Sequence, residues 1–300
     1  LLIVSSAIHR LPDAQAAALT RAYRGQVAAR RRRGWLGAAV LAALILAAGH
    51  FGEVSPVKFV AHIGNFTDYI GRLFHLDSGA STFSDVSEWF WGVTQKNKWL
   101  PLLGETLLIA YVGTILGAVG AFAWGFVAAN NLVRSPWLRL SARRLLEFCR
   151  TVPELVFALI FVVAFHLGPL PGVLALAIHT TGALGKLFAE VVENIDMKPV
   201  EGLVATGASW LQMVRFAVVP QILSNFLSYT LLRFEINVRS AGIMGFVGAG
   251  GIGQELLVSV RKFYYSDVSA ILLLLIGTVV IIDLLTERAR WALIGHEARA

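Results

Sequence analysis

The stretch from Leu102 to Ala129, LLGETLLIAYVGTILGAVGAFAWGFVAA, decides the fold class. A helix needs about 20 mostly apolar residues to cross a bilayer, and this run is longer than that. It is not isolated. The 300-residue chain is 56% apolar and 15% charged, with mean hydropathy +0.67, whereas a soluble domain carries about a quarter charged residues. The apolar residues fall in long blocks, which indicates an all-α membrane protein. Pro101 stands where a helix tolerates proline, in the first turn. Gly113 and Gly117 form a GxxxG, which lets a second helix approach closely.

Five further spans are expected. The first runs from about Trp35 to Phe51, roughly 26 Å at 1.5 Å per residue. A third opens at Thr151-Val152-Pro153-Glu154, which reads as a capping box with proline in the first turn, and ends near His166. Gly168-Pro169-Leu170-Pro171-Gly172 reads as the turn into a fourth span, about Val173 to Val191. A fifth covers Gln221 to Ala241, and a sixth Val268 to Leu285.

Lys and Arg exceed Asp and Glu by seven. The arginines cluster beside apolar blocks, which marks cytosolic flanks rather than nucleic-acid binding. They fall on residues 1–34 (Arg30 to Arg33 above all), on a loop holding Arg134, Arg139, Arg143, Arg144 and Arg150, and on a tail with Arg288, Arg290 and Arg299. With six spans all three lie on one side, so both termini read as cytosolic. Residues 1–34 form a basic arm, with Pro12 and Asp13 starting a helix. The arm suits anionic headgroups or serves as a topology signal, and it is not a convincing signal peptide. Residues 35–99 comprise the first span and an outer loop. That loop carries Asp68, Asp77, Asp85 and Glu88, and its Trp89, Phe90, Trp91 and Trp99 suit a membrane interface. Residues 100–290 form the core and 291–300 the tail. The chain starts at Leu1 rather than Met, leaving room for residues upstream.

The polar interval 192–220 is the most informative. Pro199 opens a short helix, and Gly207 closes it in the left-handed conformation. Ser209 and Gln212 form a second capping-box pattern, so a second short helix runs from Trp210 to about Val218, where Pro220 interrupts it. Leu211, Val214 and Val218 make an apolar stripe suited to a partner's groove or to the protein's own surface.

Glu201-Gly202-Leu203, Gly207 and Pro220 resemble the cytoplasmic signature of binding-protein-dependent ABC permeases. Glu, Gly and Pro stand at that signature's spacing. Gly202 and Leu203 replace its two alanines, and Ala217 and Val219 replace its Ile and Leu. Arg150-Thr151-Val152-Pro153-Glu154-Leu155-Val156, Arg233-Phe234-Glu235-Ile236-Asn237-Val238-Arg239 and the glycine segment Gly245 to Gly253 are similar to phosphonate-class permeases. The glycine segment is shared with methionine-class permeases. The resemblance covers roughly residues 100–290. It implies a type I importer subunit in the bacterial inner membrane, working by alternating access. The partners it implies are a second copy of the chain, two cytosolic ATP-binding subunits that hold ATP and Mg, and a periplasmic substrate-binding protein.

On this reading Glu201, Gly202, Gly207, Leu211, Val214 and Pro220 form the ATPase-coupling loop. Arg233, Glu235, Asn237 and Arg239 line the substrate pathway. An ionised residue near the bilayer centre costs roughly 2.5–3.5 kcal/mol, so three charges on one span cannot all face lipid. Arg233 lies about 20 Å and Arg239 about 28 Å along the helix from Pro220. Glu235 and Arg239 are placed to pair, which serves a pathway or simply neutralises buried charge. Guanidinium groups suit bidentate contact with phosphonate oxygens. Gly245, Gly248, Gly250, Gly251 and Gly253 read as a tight turn or a close-packed constriction.

Other motifs carry less. Gly248-Ala249-Gly250-Gly251-Ile252-Gly253 matches GxGxxG, but it sits between spans without the βαβ context that a dinucleotide site requires. Gly182-Ala183-Leu184-Gly185-Lys186 lacks the first glycine of a phosphate-binding loop, so no ATP site is expected on this chain. The only cysteine, Cys149, rules out an internal disulfide. His166 and His179 read as structural histidines, and no metal spacing or nucleophile–base pair is evident. The rivals are a permease for phosphite, phosphate or methionine, a lipid-acting membrane enzyme, and a stand-alone channel.

Overall fold

The computed structural model describes residues 13–76, 78–94 and 98–297. Pro12, Asp77, Arg299 and the first twelve residues of the basic arm lie outside these. Among the described residues there are helices and one isolated bridge, His75 to Ser81, but no strand. The chain divides into two units between Asp68 and Tyr69.

In the first unit, α1 (Asp13–Phe51) makes the basic arm and the first span one continuous helix. A turn over residues 52–55, tightened by Gly52 N–H to Ala48 O at 2.8 Å and Val54 N–H to Gly49 O at 2.9 Å, leads into α2 (Pro56–Arg72). The sequence reading had no helix at α2, because its apolar residues are too dispersed for a span.

The second unit is built on α5 (Trp99–Ala128) and α8 (Pro169–Glu193). Gly113, Gly117 and Gly125 on α5 face Leu176, Thr180 and Phe188 on α8. Both series rise together at four-residue steps, so the helices run parallel, ridge into groove. A methyl group on Gly113 would come within 2.7 Å of the Leu176 Cβ, which is why the GxxxG holds glycine.

The segment expected as a basic loop is instead α6 (Pro136–Thr151), capped by Ser135. The capping box expected at Thr151 does not form. Thr151 ends α6, Val152 is extended, and α7 (Glu154–Phe165) follows from Pro153 at an 86° bend. The residue before a proline is pushed out of the helical region, and that breaks the segment. At 12 residues α7 spans only about 18 Å, too short to cross alone. Leu146 of α6 packs on Gly185 in the second half of α8, and α7 packs on the first half. Together they retrace α8 backwards, as one return pass. The turn is also shorter than expected: His166 and Gly168 reverse the chain, and α8 already starts at Pro169.

Helix α11 (Val219–Met244) runs antiparallel to α5 and α8. Phe226 at its start stacks on Phe188, with centroids 3.7 Å apart, and Val238 and Ala241 meet Ile109 and Leu176 further along. Helix α13 (Tyr265–Glu297) returns beside α11, with Leu275 against Gly242. Among the described residues four helices are long and apolar enough to cross singly, and the two bent pairs raise the number to six if each is one span. The alternating directions of α5, α6–α7, α8, α11 and α13 fit that higher number.

Two ends of this unit carry the remaining features. One holds α9 (Lys198–Ala205) and α10 (Trp210–Met213), beside the ends of α5 and α8. The other holds the glycine segment and α12 (Ile252–Arg261). The short helices α3 (Val86–Trp89) and α4 (Trp91–Thr94) also sit there. Their tryptophans and Trp99 of α5 are not a lipid belt as expected. Trp99 is fully buried, Trp89 Nε1–H donates to Ser269 Oγ at 2.8 Å, and Trp91 Nε1–H donates to Asp267. They pack on α12 and α13, so the core extends before residue 100.

Candidate functional site

Two residues along a helix rotate it by about 200°. Arg233 and Glu235 therefore face opposite ways, and α11 carries two polar stripes rather than the single one expected. Arg233, Asn237 and Ser240 point to α5, α7 and α8. Glu235 and Arg239 lie on the other side, reached from α13.

On the first stripe, Arg233 Nη2 donates to His179 Nδ1 at 2.5 Å. That contact requires His179 to be unprotonated at Nδ1. Glu154 Oε2 lies 3.6 Å from the same nitrogen, and Glu154 Oε1 accepts from Ser240 Oγ at 2.8 Å. His179 is thus tied into a charged cluster rather than being an isolated structural histidine. Next to it, Asn237 is fully buried and donates from Nδ2 to Thr114 Oγ1 at 2.8 Å and Thr180 Oγ1 at 2.9 Å. Asn237 acts as a polar tie between α5, α8 and α11. Arg233 Nε and Asn237 Oδ1 are buried without a protein partner.

On the second stripe, Glu235 is buried and pairs with Arg239, as the four-residue spacing predicts, while Arg290 of α13 approaches its other oxygen to 3.8 Å. Two guanidinium groups share one carboxylate, so these three side chains sum to one positive charge, with Glu287 lining the same pocket as Arg290. The Arg239 side chain is half exposed. An exposed charge on a membrane-spanning helix is more stable beside water, headgroups or another subunit than beside lipid tails.

Sequence reasoning missed Arg290, Glu154 and His179. By sequence Arg290 reads as part of the tail and Glu154 as part of a capping box. A signal was available for Arg290, since α13 is long enough to keep residue 290 beside α11; Glu154, which starts α7 and suits its first turn, offered none.

At the α9 end, Pro199 starts α9 and Gly207 has φ +79°, as expected. Gly207 N–H bonds Val204 O at 3.0 Å and Ala208 N–H bonds Leu203 O at 3.1 Å, the two hydrogen bonds of a Schellman cap. Gln212 Oε1 accepts from Ser209 N–H at 2.8 Å, the reciprocal half of the capping box. Glu201, Gly202, Gly207 and Leu211 are exposed.

Val214 and Val218 are buried in the protein's own core, so only Leu211 of the stripe faces outward, joined by Phe216. Pro220 does not end the helix. A π turn over Val214–Val218, with Val219 N–H bonded to Val214 O, widens the backbone ahead of it, and Pro220 falls in the first turn of α11. The missing N–H of proline is harmless there, and the wider turn makes room for its ring. A groove of about 860 Å³ lined by Leu132, Val200, Val204, Trp210 and Met213 runs beside these helices.

The glycines close the opposite end. Gly248, Gly250 and Gly251 have positive φ. A methyl group on Gly245 would strike Gly253, 2.7 Å from its Cα, and one on Gly253 would strike the Gly242 carbonyl. Ile252 N–H donates to Thr106 Oγ1 at 2.9 Å, and Gly168 N–H to Gly248 O at 3.0 Å. The segment is a packed junction of α5, α8, α11 and α12. The dinucleotide motif has no strand before it among the described residues.

Parallel and antiparallel spans, a capped helical pair at one end and charged clusters within the bundle define a multi-span membrane permease. The chain belongs to the family of binding-protein-dependent transport system inner membrane components, whose model matches residues 121–291. It is a membrane-spanning transport subunit, not an enzyme. It is similar to the phosphite transport system permease protein of Stutzerimonas stutzeri, 43% identical over 185 residues, covering 62% of this chain and 67% of that one. A putative cryptic phosphonate transport system permease protein of Escherichia coli K12 is 50% identical over 117 residues, 39% of this chain and 96% of that one. The inward-facing methionine ABC transporter shares the fold, with TM-score 0.54 and 20% identity over 64% of this chain and 94% of that one.

Proposed function

We propose that the chain moves phosphonate-type oxyanions, a class including phosphite and phosphate, from a periplasmic binding protein to the cytosol. One observation carries this reading: the net positive cluster of Arg239, Arg290 and Glu235 inside a permease whose relatives bear phosphite and phosphonate names. Two guanidinium groups on one carboxylate form a frame that a tetrahedral oxyanion also fits. Two copies of the chain with two ATP-binding subunits, which hold ATP and Mg, make the working assembly. ATP binding closes the ATPase pair, the exposed surface of Glu201, Gly202 and Leu211 transmits the movement, and the pathway switches access. Both termini and residues 192–220 face the cytosol, a reading supported by the arginines of α6, of which Arg143 reaches Ala128 O and Glu193 at that end.

The test is competition. Uptake of radiolabelled phosphite by vesicles containing the full assembly is expected to be suppressed by excess methylphosphonate or phosphate and unaffected by methionine. Suppression by methionine alone would assign the cargo to the other class.

A further inference from the structure

Helix α2 leaves one face uncovered. Phe59, Val60, Ile63, Phe66 and Ile70 gather on one side, and Phe59, Val60 and Phe66 are 69%, 68% and 63% exposed. Lys58, His62, Asn65, Asp68, Tyr69 and Arg72 form the opposite side. Tyr69 and Arg72 of that polar side touch the ring of Tyr265 on α13, at 5.7 Å and 5.6 Å. At 17 residues and with four charged side chains, Lys58, Asp68, Arg72 and, when protonated, His62, α2 is no span.

Chain continuity says what covers the apolar face. Helix α1 immediately precedes α2; it is long and apolar enough to cross a membrane, and none of its most apolar window is buried within this chain. The four-residue link reaches at most about 14 Å when extended. Here it is folded back on α1 by two backbone hydrogen bonds, so its reach is shorter. Ser55 then starts α2, with its Oγ accepting from Lys58 N–H at 3.2 Å. The start of α2 therefore stays at the interfacial layer, which is roughly 5–8 Å deep on each side of the hydrocarbon.

We infer that α2 is an interfacial helix lying flat on the bilayer, with Phe59, Ile63, Phe66 and Ile70 sunk into the headgroup–acyl boundary of the lipid. Lys58 and Arg72 flank that face with stems long enough to lie along it while their charges reach phosphate. The helix anchors the polar segment that follows α1 to the membrane before the chain enters the packed unit. The inference is independent of the cargo.

Nitroxide labels on the full chain, with Cys149→Ala and one added cysteine, test it in phosphatidylethanolamine–phosphatidylglycerol vesicles. Labels at Ile63→Cys and Phe66→Cys should collide with oxygen several-fold more, relative to a water-soluble nickel complex, than a label at Asn65→Cys. Their depth should be about 5–10 Å below the headgroup surface. Equal nickel exposure at all three positions would overturn the proposal. So would protection of positions 63 and 66 from both reagents, which would mean that a second copy or another protein covers the face.

Discussion

Arg239→Gln is expected to reduce anion uptake by about tenfold or more, while expression, assembly and basal ATP hydrolysis stay at wild-type levels. Loss of one hydrogen bond to a charged group costs about 1.5–3 kcal/mol, and 1.4 kcal/mol is tenfold. Arg239 pairs with Glu235 through a half-exposed side chain, so its removal leaves the helix packing in place. The effect is on the charge balance. With Arg239 gone, Glu235 and Arg290 neutralise one another and this stripe loses its net positive charge. Arg233→Gln tests the other stripe separately. Because Arg233 is bonded to His179 and lies close to Glu154 within the bundle, its loss should lower thermal stability in detergent as well as uptake. Normal uptake by Arg239→Gln at normal expression would remove the arginine cluster from the pathway.

Gly207→Val is expected to abolish association with the ATPase subunit while the chain still inserts and elutes as a folded species. No atom lies within 4 Å of a Cβ built at Gly207, so the substitution creates no clash. Its whole effect comes from φ +79°, which a β-branched residue resists at a cost on the order of 1–3 kcal/mol. Relaxing that angle breaks the Schellman bonds and reorients α9, with Glu201 and Gly202, against α10. Gly207→Asn supplies the control, because asparagine tolerates the left-handed region. A pull-down should show wild-type ATPase recovery with Asn and little with Val. Equal recovery with both would place the docking surface elsewhere.

Much of this architecture is legible in the amino-acid order. Periodicity and length give the spans, and Pro199, Gly207 and the Ser209–Gln212 pair give the α9–α10 turn, because caps are local and have local signatures. The Glu235–Arg239 pair follows from helical spacing alone. What failed depended on tertiary packing or on competition between local rules. Thr151 carried a capping pattern, but Pro153 also disfavours helix at Val152, and the break won. Val214 and Val218 sat on a plausible docking stripe, yet the neighbouring apolar residues Met213 and Ala217 pull that face into the core. The outer tryptophans suited an interface by composition, and only the position of α13 shows that they pack inward. Arg290 is separated by 55 positions from the Glu235 that it reaches, so no window of sequence joins them.

This chain is the permease of an ATP-driven oxyanion importer. Phosphite accumulation in sealed proteoliposomes containing the chain, with or without the ATPase and binding protein of its own system, tests that role most directly. Accumulation is expected only when both partners and ATP are present. Phosphite entry through the chain alone would contradict the account and make it a channel.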